Sequence, residues 1–202
     1  MTTRRTQAER SAETIEALIV ATLRTLEEVG YTRATTEEIA RRAGVSQGAL
    51  FHHFDTRIDL IAAAVHRHEA TVVRIIDEAV AFVGAHGFGV NDDPVVFIEA
   101  FVAQVQHPRN AALLEALLGA RGDDQLRDDL HRVVDRIFDS VRPLIMRHPS
   151  FSGLSSQALD QWIHLFRDYL AGDAMWKAVG LPGEAERDRL QALAEFARRL
   201  AA

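Results

Sequence analysis

TTEEIARRAGVSQGALFHHF, residues 35–54, sets two short helical patterns on either side of one glycine. Thr35 or Thr36 offers an N-cap oxygen, and Ile39, Ala40 and Ala43 share one face of the helix that follows. Gly44 takes the positive φ of a sharp turn, Val45 plugs the corner, and Ser46 caps a second helix running to about His53. Leu50 and Phe54 then face the core. Gln47, Gly48, Ala49, Phe51, His52 and His53 are left facing outward.

Two helices joined this way form a helix-turn-helix, which points to a nucleic-acid duplex as partner. The second helix is about two turns long, short enough to lie in a major groove about 12 Å wide. Gly48 and Ala49 are small enough for close approach to base edges. Gln47 suits adenine, and His52 or His53 can donate to a phosphate or a base.

Upstream, Ile15, Leu18, Ile19, Thr22, Leu26 and Val29 recur at three- and four-residue steps, predicting an amphipathic helix over residues 12–29 with Gly30 just past its end. Residues 1–11 read as a flexible, solvated arm. Downstream, a long helix is expected over 57–83, a loop over 84–93, and a helix from Pro94 to about Gln106. Further helices are expected over 108–119, from Asp123 or Asp124 to Arg147 with Pro143 inside it, from Ser155 or Ser156 to Val179, and over 184–200. The fold class is all-α, with about nine helices and no strand.

Composition narrows the functional classes. With no cysteine, a disulfide framework and a thiolate metal site are both excluded. The start MTTRRTQAERSAE has no apolar run behind its arginines, so no signal peptide is expected and the cytoplasm is the expected location. The net charge is −6, yet residues 1–57 carry eight arginines against eight acids and sum to zero. Charge alone therefore does not announce DNA. Histidine pairs lack the spacing of a helical metal site, and no phosphate loop or nucleophile elbow is present, so neither an enzyme nor a metal or cofactor protein is expected. A helical adaptor that binds protein rather than DNA is the remaining rival.

Gly30-Tyr31, Thr35-Thr36, Ile39-Ala40, Ala43-Gly44-Val45-Ser46, Gly48, Leu50, Phe54, Arg57 and Leu60 together make residues 12–69 resemble the DNA-binding domain of the tetracycline-repressor (TetR) family. The resemblance implies that Thr35, Thr36 and the recognition helix from Ser46 through Gln47, Gly48, Ala49, Phe51, His52 and His53 contact double-stranded DNA. Arg57 stands where the family places a phosphate contact, usually a lysine, and Phe51 stands where it usually has tyrosine. It further implies that residues 70–202 form a helical ligand-binding and dimerisation domain, and that the chain is a homodimeric repressor released from a palindromic operator by a small effector.

Within that region, Phe97, Phe101, Gln104, Leu117, Phe138, Trp162 and Phe166 are candidates for a mostly apolar ligand pocket. The last two helices of the family commonly pair with their copies as a four-helix bundle. Leu165, Tyr169, Gly172 and Trp176, with Leu193, Phe196 and Leu200, are the candidates for that dimer surface.

Overall fold

The structure, a computed structural model, describes residues 6–86, 94–105, 110–147, 154–180 and 186–201. Among these residues the chain forms nine α-helices and no strand: α1 (Gln7–Arg33), α2 (Thr36–Ala43), α3 (Gln47–Phe51), α4 (Arg57–Ala85), α5 (Pro94–Val105), α6 (Asn110–Gly119), α7 (Asp124–Met146), α8 (Ser156–Ala178) and α9 (Glu186–Ala201). A single 3-10 turn, Ala120–Gly122, joins α6 to α7. The loop expected over 84–93 lies mostly outside the described residues. No helix among the described residues is long and apolar enough to cross a membrane.

Residues 1–5 of the expected arm lie outside the described residues, and its last five are helical, because α1 begins at Gln7. Its start is a capping box. Thr6 Oγ1 accepts from the Glu9 amide at 3.2 Å, and the Thr6 amide donates to Glu9 Oε2 at 2.7 Å. Two orphan amide donors are thereby satisfied, which is what a helix start needs. At the other end, Gly30 stands at φ 79 and ψ 169. This is the extended, positive-φ region rather than the left-handed helical one, and it is essentially closed to residues with a Cβ. The break releases Tyr31 and the residues after it from the line of α1.

The chain divides into two compact units, Met1–Thr71 with Pro108–Asp135, and Val72–His107 with Arg136–Ala202. The first unit thus holds the helix-turn-helix and also α6, which a division of the chain at residue 69 does not foresee. The reason is tertiary: α6 packs along α1. Leu18, Leu26, Ile39, Leu50, Leu60 and Ile61 are fully buried in this unit. Thr22 and Thr25 are buried too, and their hydroxyls donate to the Leu18 and Ala21 carbonyls at 2.8 and 2.6 Å. Phe54, expected in the core, is only half-buried.

In the second unit α5 and α8 both pack on α9. Its core includes Ile98, Phe101, Val141, Leu159, Trp162, Phe166 and Leu190. Asp173 of α8 is buried beneath two cations, Lys177 Nζ at 2.8 Å and Arg189 at 3.3 Å. Pro143 does not end α7, which continues to Met146.

The α1 stripe gives a direct stability test. Leu18→Ala empties a fully buried site and is expected to cost about 2–5 kcal/mol in urea unfolding. Val20→Ala, on the same helix at 40% exposure, is expected to change stability by less than about 1 kcal/mol. Equal effects would contradict this assignment of faces.

Candidate nucleic-acid interface

The helix-turn-helix is built from three local devices. Thr35, extended at φ −74 and ψ 156, caps α2 by accepting from the Glu38 amide at 3.2 Å. Gly44 follows α2 in the left-handed conformation, φ 70 and ψ 28, and its amide reaches the Ala40 and Arg41 carbonyls. A Cβ at Gly44 would meet nothing within 4 Å. The demand for glycine there is one of backbone angle, not of space. Ser46 then caps α3 by accepting from the Ala49 amide at 3.1 Å.

Leu50, fully buried, anchors α3 to the core. With that residue inside, Gln47, Gly48, Phe51 and His52 stand exposed, and Ala49 and His53 are half-buried. Phe51 is 48% exposed, a large apolar ring in solvent. α3 ends at Phe51, earlier than the sequence predicts. His52 is its C-cap, and the His53 amide bonds back to Leu50 at 3.0 Å, a tighter step than the helical one. The two imidazoles sit edge to face, 5.1 Å between centroids. Gln47 Nε2 donates to Thr36 Oγ1 at 3.4 Å, which links the starts of the two helices.

Arg57 turns toward the end of α1. Its Nε donates to the Ala34 carbonyl at 2.7 Å and its Nη2 donates to the Tyr31 carbonyl. Its guanidinium also lies over the Tyr31 ring, 4.2 Å from the centroid. The planar fork thus engages the end of α1. The physical reason is the end of α1 past the Gly30 break, which presents the Tyr31 and Ala34 carbonyls to a fork shaped for two acceptors.

A second feature escaped the sequence reading. Glu38 accepts from Arg41 at 2.8 Å and from Arg42 Nε at 2.6 Å, and Arg42 also bonds Glu28. Hydrogen bonds from Arg41, then from Arg42, hold the Glu38 carboxyl down from its ordinary 4.5 to about 2. The spacing of Glu38 to Arg41 and Arg42 is the i, i+3 and i, i+4 pattern, so the signal was available. Both arginines of α2 are thus partnered by acids, which fits a head whose formal charge is zero.

The other candidate residues separate. Phe101, Trp162 and Phe166 form one buried aromatic cluster: Trp162 stacks on Phe166 at 5.0 Å, and Phe101 lies 5.3 Å from Phe166. Phe138 is instead half-buried against His164 and the Arg167 guanidinium. Leu117 belongs to the first compact unit, and that cluster to the second. The side chains of Phe97, Gln104 and Leu200 lie outside the described residues.

Of the expected dimer residues, Leu165, Trp176 and Phe196 are exposed, and Tyr169 and Gly172 are half-buried. Leu193 is not available to a partner: at 6% exposure it belongs to its own chain's core. Met175 and Val179, which the sequence reading passed over, add apolar exposure on α8 and at its end. Among the described residues no group of three metal-ligating side chains occurs.

Residues 18–64 match the family of bacterial regulatory proteins known as the tetR family. The chain is 32% identical over 171 residues to the HTH-type transcriptional regulator CymR of Pseudomonas putida, covering 71% of this chain and 83% of CymR. An HTH-type transcriptional regulator of Mycobacterium tuberculosis is 29% identical over 191 residues, covering 94% of this chain and 95% of that one. In fold the chain is similar to the multidrug binding protein EbrR, solved in complex with proflavin, with a TM-score of 0.61, 17% identity, and 93% and 99% of the two chains covered. The chain belongs to the TetR family, and it is a DNA-binding transcriptional regulator rather than an enzyme.

The Glu38 pair predicts an acid-dependent term in stability. A carboxyl whose pKa is depressed on folding stabilises the fold fully above its unfolded value of 4.5, and loses that contribution as pH falls toward about 2. Glu38→Gln is therefore expected to be less stable than the parent at pH 7, with the gap closing between pH 4.5 and 2 in thermal unfolding. A gap that stays constant with pH would contradict it.

Proposed function

We propose that the chain is a repressor that binds a palindromic operator as a homodimer and is released from it by a small, mostly apolar effector. The observation that carries this reading is the face of α3. Gln47, Gly48, Phe51 and His52 are exposed together on a helix capped by Ser46 and anchored by Leu50. Small residues beside one amide and one imidazole suit close approach to base edges in a major groove. Thr35, Thr36 and Ser46 flank that face with hydroxyl groups suited to phosphate. Arg57 serves this interface by fixing the end of α1.

Two identical chains are needed because one helix of this length spans few base pairs, and a two-fold dimer reads a palindrome. Leu165, Met175, Trp176, Val179 and Phe196 supply exposed apolar area for that pairing. The effector site is assigned to the second unit, beside the Phe101, Trp162 and Phe166 cluster. EbrR holding proflavin in a similar fold supports a small organic ligand. Effector binding would then act by changing the separation of the two α3 helices, and so operator affinity. Repression rests on the family resemblance.

Protection of the promoter upstream of the chain's own gene in a DNase footprint tests the reading, and a palindromic protected site is expected. Phe51→Tyr adds a hydroxyl at the exposed ring and is expected to tighten operator binding by about 0.5–1.5 kcal/mol. Unchanged or weaker binding would show that this ring does not face phosphate. Trp176→Glu places a charge at a 50% exposed site. It is expected to shift sedimentation from dimer toward monomer while far-UV circular dichroism stays the same; a dimer unaffected by the charge would remove Trp176 from the interface.

A further inference from the structure

Tyr31 follows the Gly30 break near the end of α1, and its amide, carbonyl and ring each meet a residue of another helix. Its amide donates to Glu115 Oε2 of α6 at 2.9 Å across 84 residues. Its ring lies against the bare backbone of Gly119, where a Cβ would fall 2.2 Å from ring carbon Cδ2. Its carbonyl and its ring both meet Arg57, whose Nε also takes the Ala34 carbonyl at 2.7 Å. Gly30 is part of the same arrangement, since a Cβ there would fall 3.0 Å from Glu115 Oε2. All six residues lie within the first compact unit.

We propose that Glu115 and Gly119 are positioning residues for operator binding: α6 holds Tyr31 as a latch and so sets how α2, with α3 attached to it, stands against α1. Residues 30–34 carry the end of α1 past the Gly30 break to the start of α2, so whatever fixes Tyr31 bears on where the helix-turn-helix begins. The Glu115 bond is charge-assisted and stronger than a neutral one. Gly119 provides the seat because no other residue leaves room for the ring. Arg57 closes the latch from α4. A shift of α6 would let go of Tyr31 without touching any groove-facing side chain. This inference deepens the DNA-binding reading and rests on it.

The test compares Glu115→Ala, Glu115→Gln and Gly119→Ala in the full-length protein, on operator DNA and on unrelated DNA of equal length. Glutamine keeps an acceptor for the Tyr31 amide and alanine does not. Glu115→Ala and Gly119→Ala are expected to weaken operator binding at least about tenfold while leaving binding to unrelated DNA within about twofold. Glu115→Gln is expected to stay within about threefold of the parent on both. Hydrogen exchange at the Tyr31 amide gives a readout that needs no DNA: it should accelerate in Glu115→Ala and remain slow in Glu115→Gln. If Gly119→Ala fails to fold, the two Glu115 variants decide. Operator binding and Tyr31 exchange unchanged in Glu115→Ala would overturn the latch. If the parent binds no DNA, the functional reading fails and the exchange result alone judges the latch.

Discussion

Between α2 and α3 the chain must turn sharply within three residues, and Gly44 at φ 70 and ψ 28 makes this possible. A residue with a Cβ pays for that conformation in backbone energy, of order 1 kcal/mol. The Thr35 and Ser46 hydroxyls satisfy amides on either side of the turn. Leu50 can then be buried while its neighbours on α3 stay outside. The caps, the anchor and the exposed face all presuppose that one backbone angle.

The electrostatics of the head follow a less obvious logic. Arg41 and Arg42 are partnered by Glu38 and Glu28, and Arg57 is spent on two carbonyls. Three cations near the motif thus perform structural work. On the proposed reading, the α3 face would offer DNA an amide, a small pair, an aromatic ring and an imidazole, with no Lys, Arg, Asp or Glu among them. Such a surface selects partners by fit and hydrogen bonding more than by attraction of charge. An acidic chain with a neutral head is a coherent form of DNA-binding protein on these terms.

The helices were largely legible in the sequence, because caps, periodic apolar stripes and glycine stops are local signals. Gly44 and Ser46 could be placed from their neighbours alone. Even the early start of α1 is legible, since Thr6 and Glu9 stand at capping-box spacing amid a polar composition that reads as an arm. What could not be read depends on which helix meets which. Arg57 resembles a free cation until Tyr31 and Ala34 are seen to present carbonyls to it. Gly119 carries no message until the Tyr31 ring is found against it. Leu193 and Phe196 share one helix, and only the packing of α5 and α8 on α9 puts the first inside and leaves the second exposed. Leu117 is an apolar helical residue like the aromatic candidates, yet it belongs to the other compact unit.

The central claim, that the α3 face docks on duplex DNA and reads base edges, is tested most directly by the operator affinity of Gln47→Ala. Gln47 stands exposed on that face, and removing its amide is expected to cost about 1–3 kcal/mol on the operator while binding to unrelated DNA of equal length changes little. Equal operator affinity in the parent and in Gln47→Ala would contradict the docking of α3.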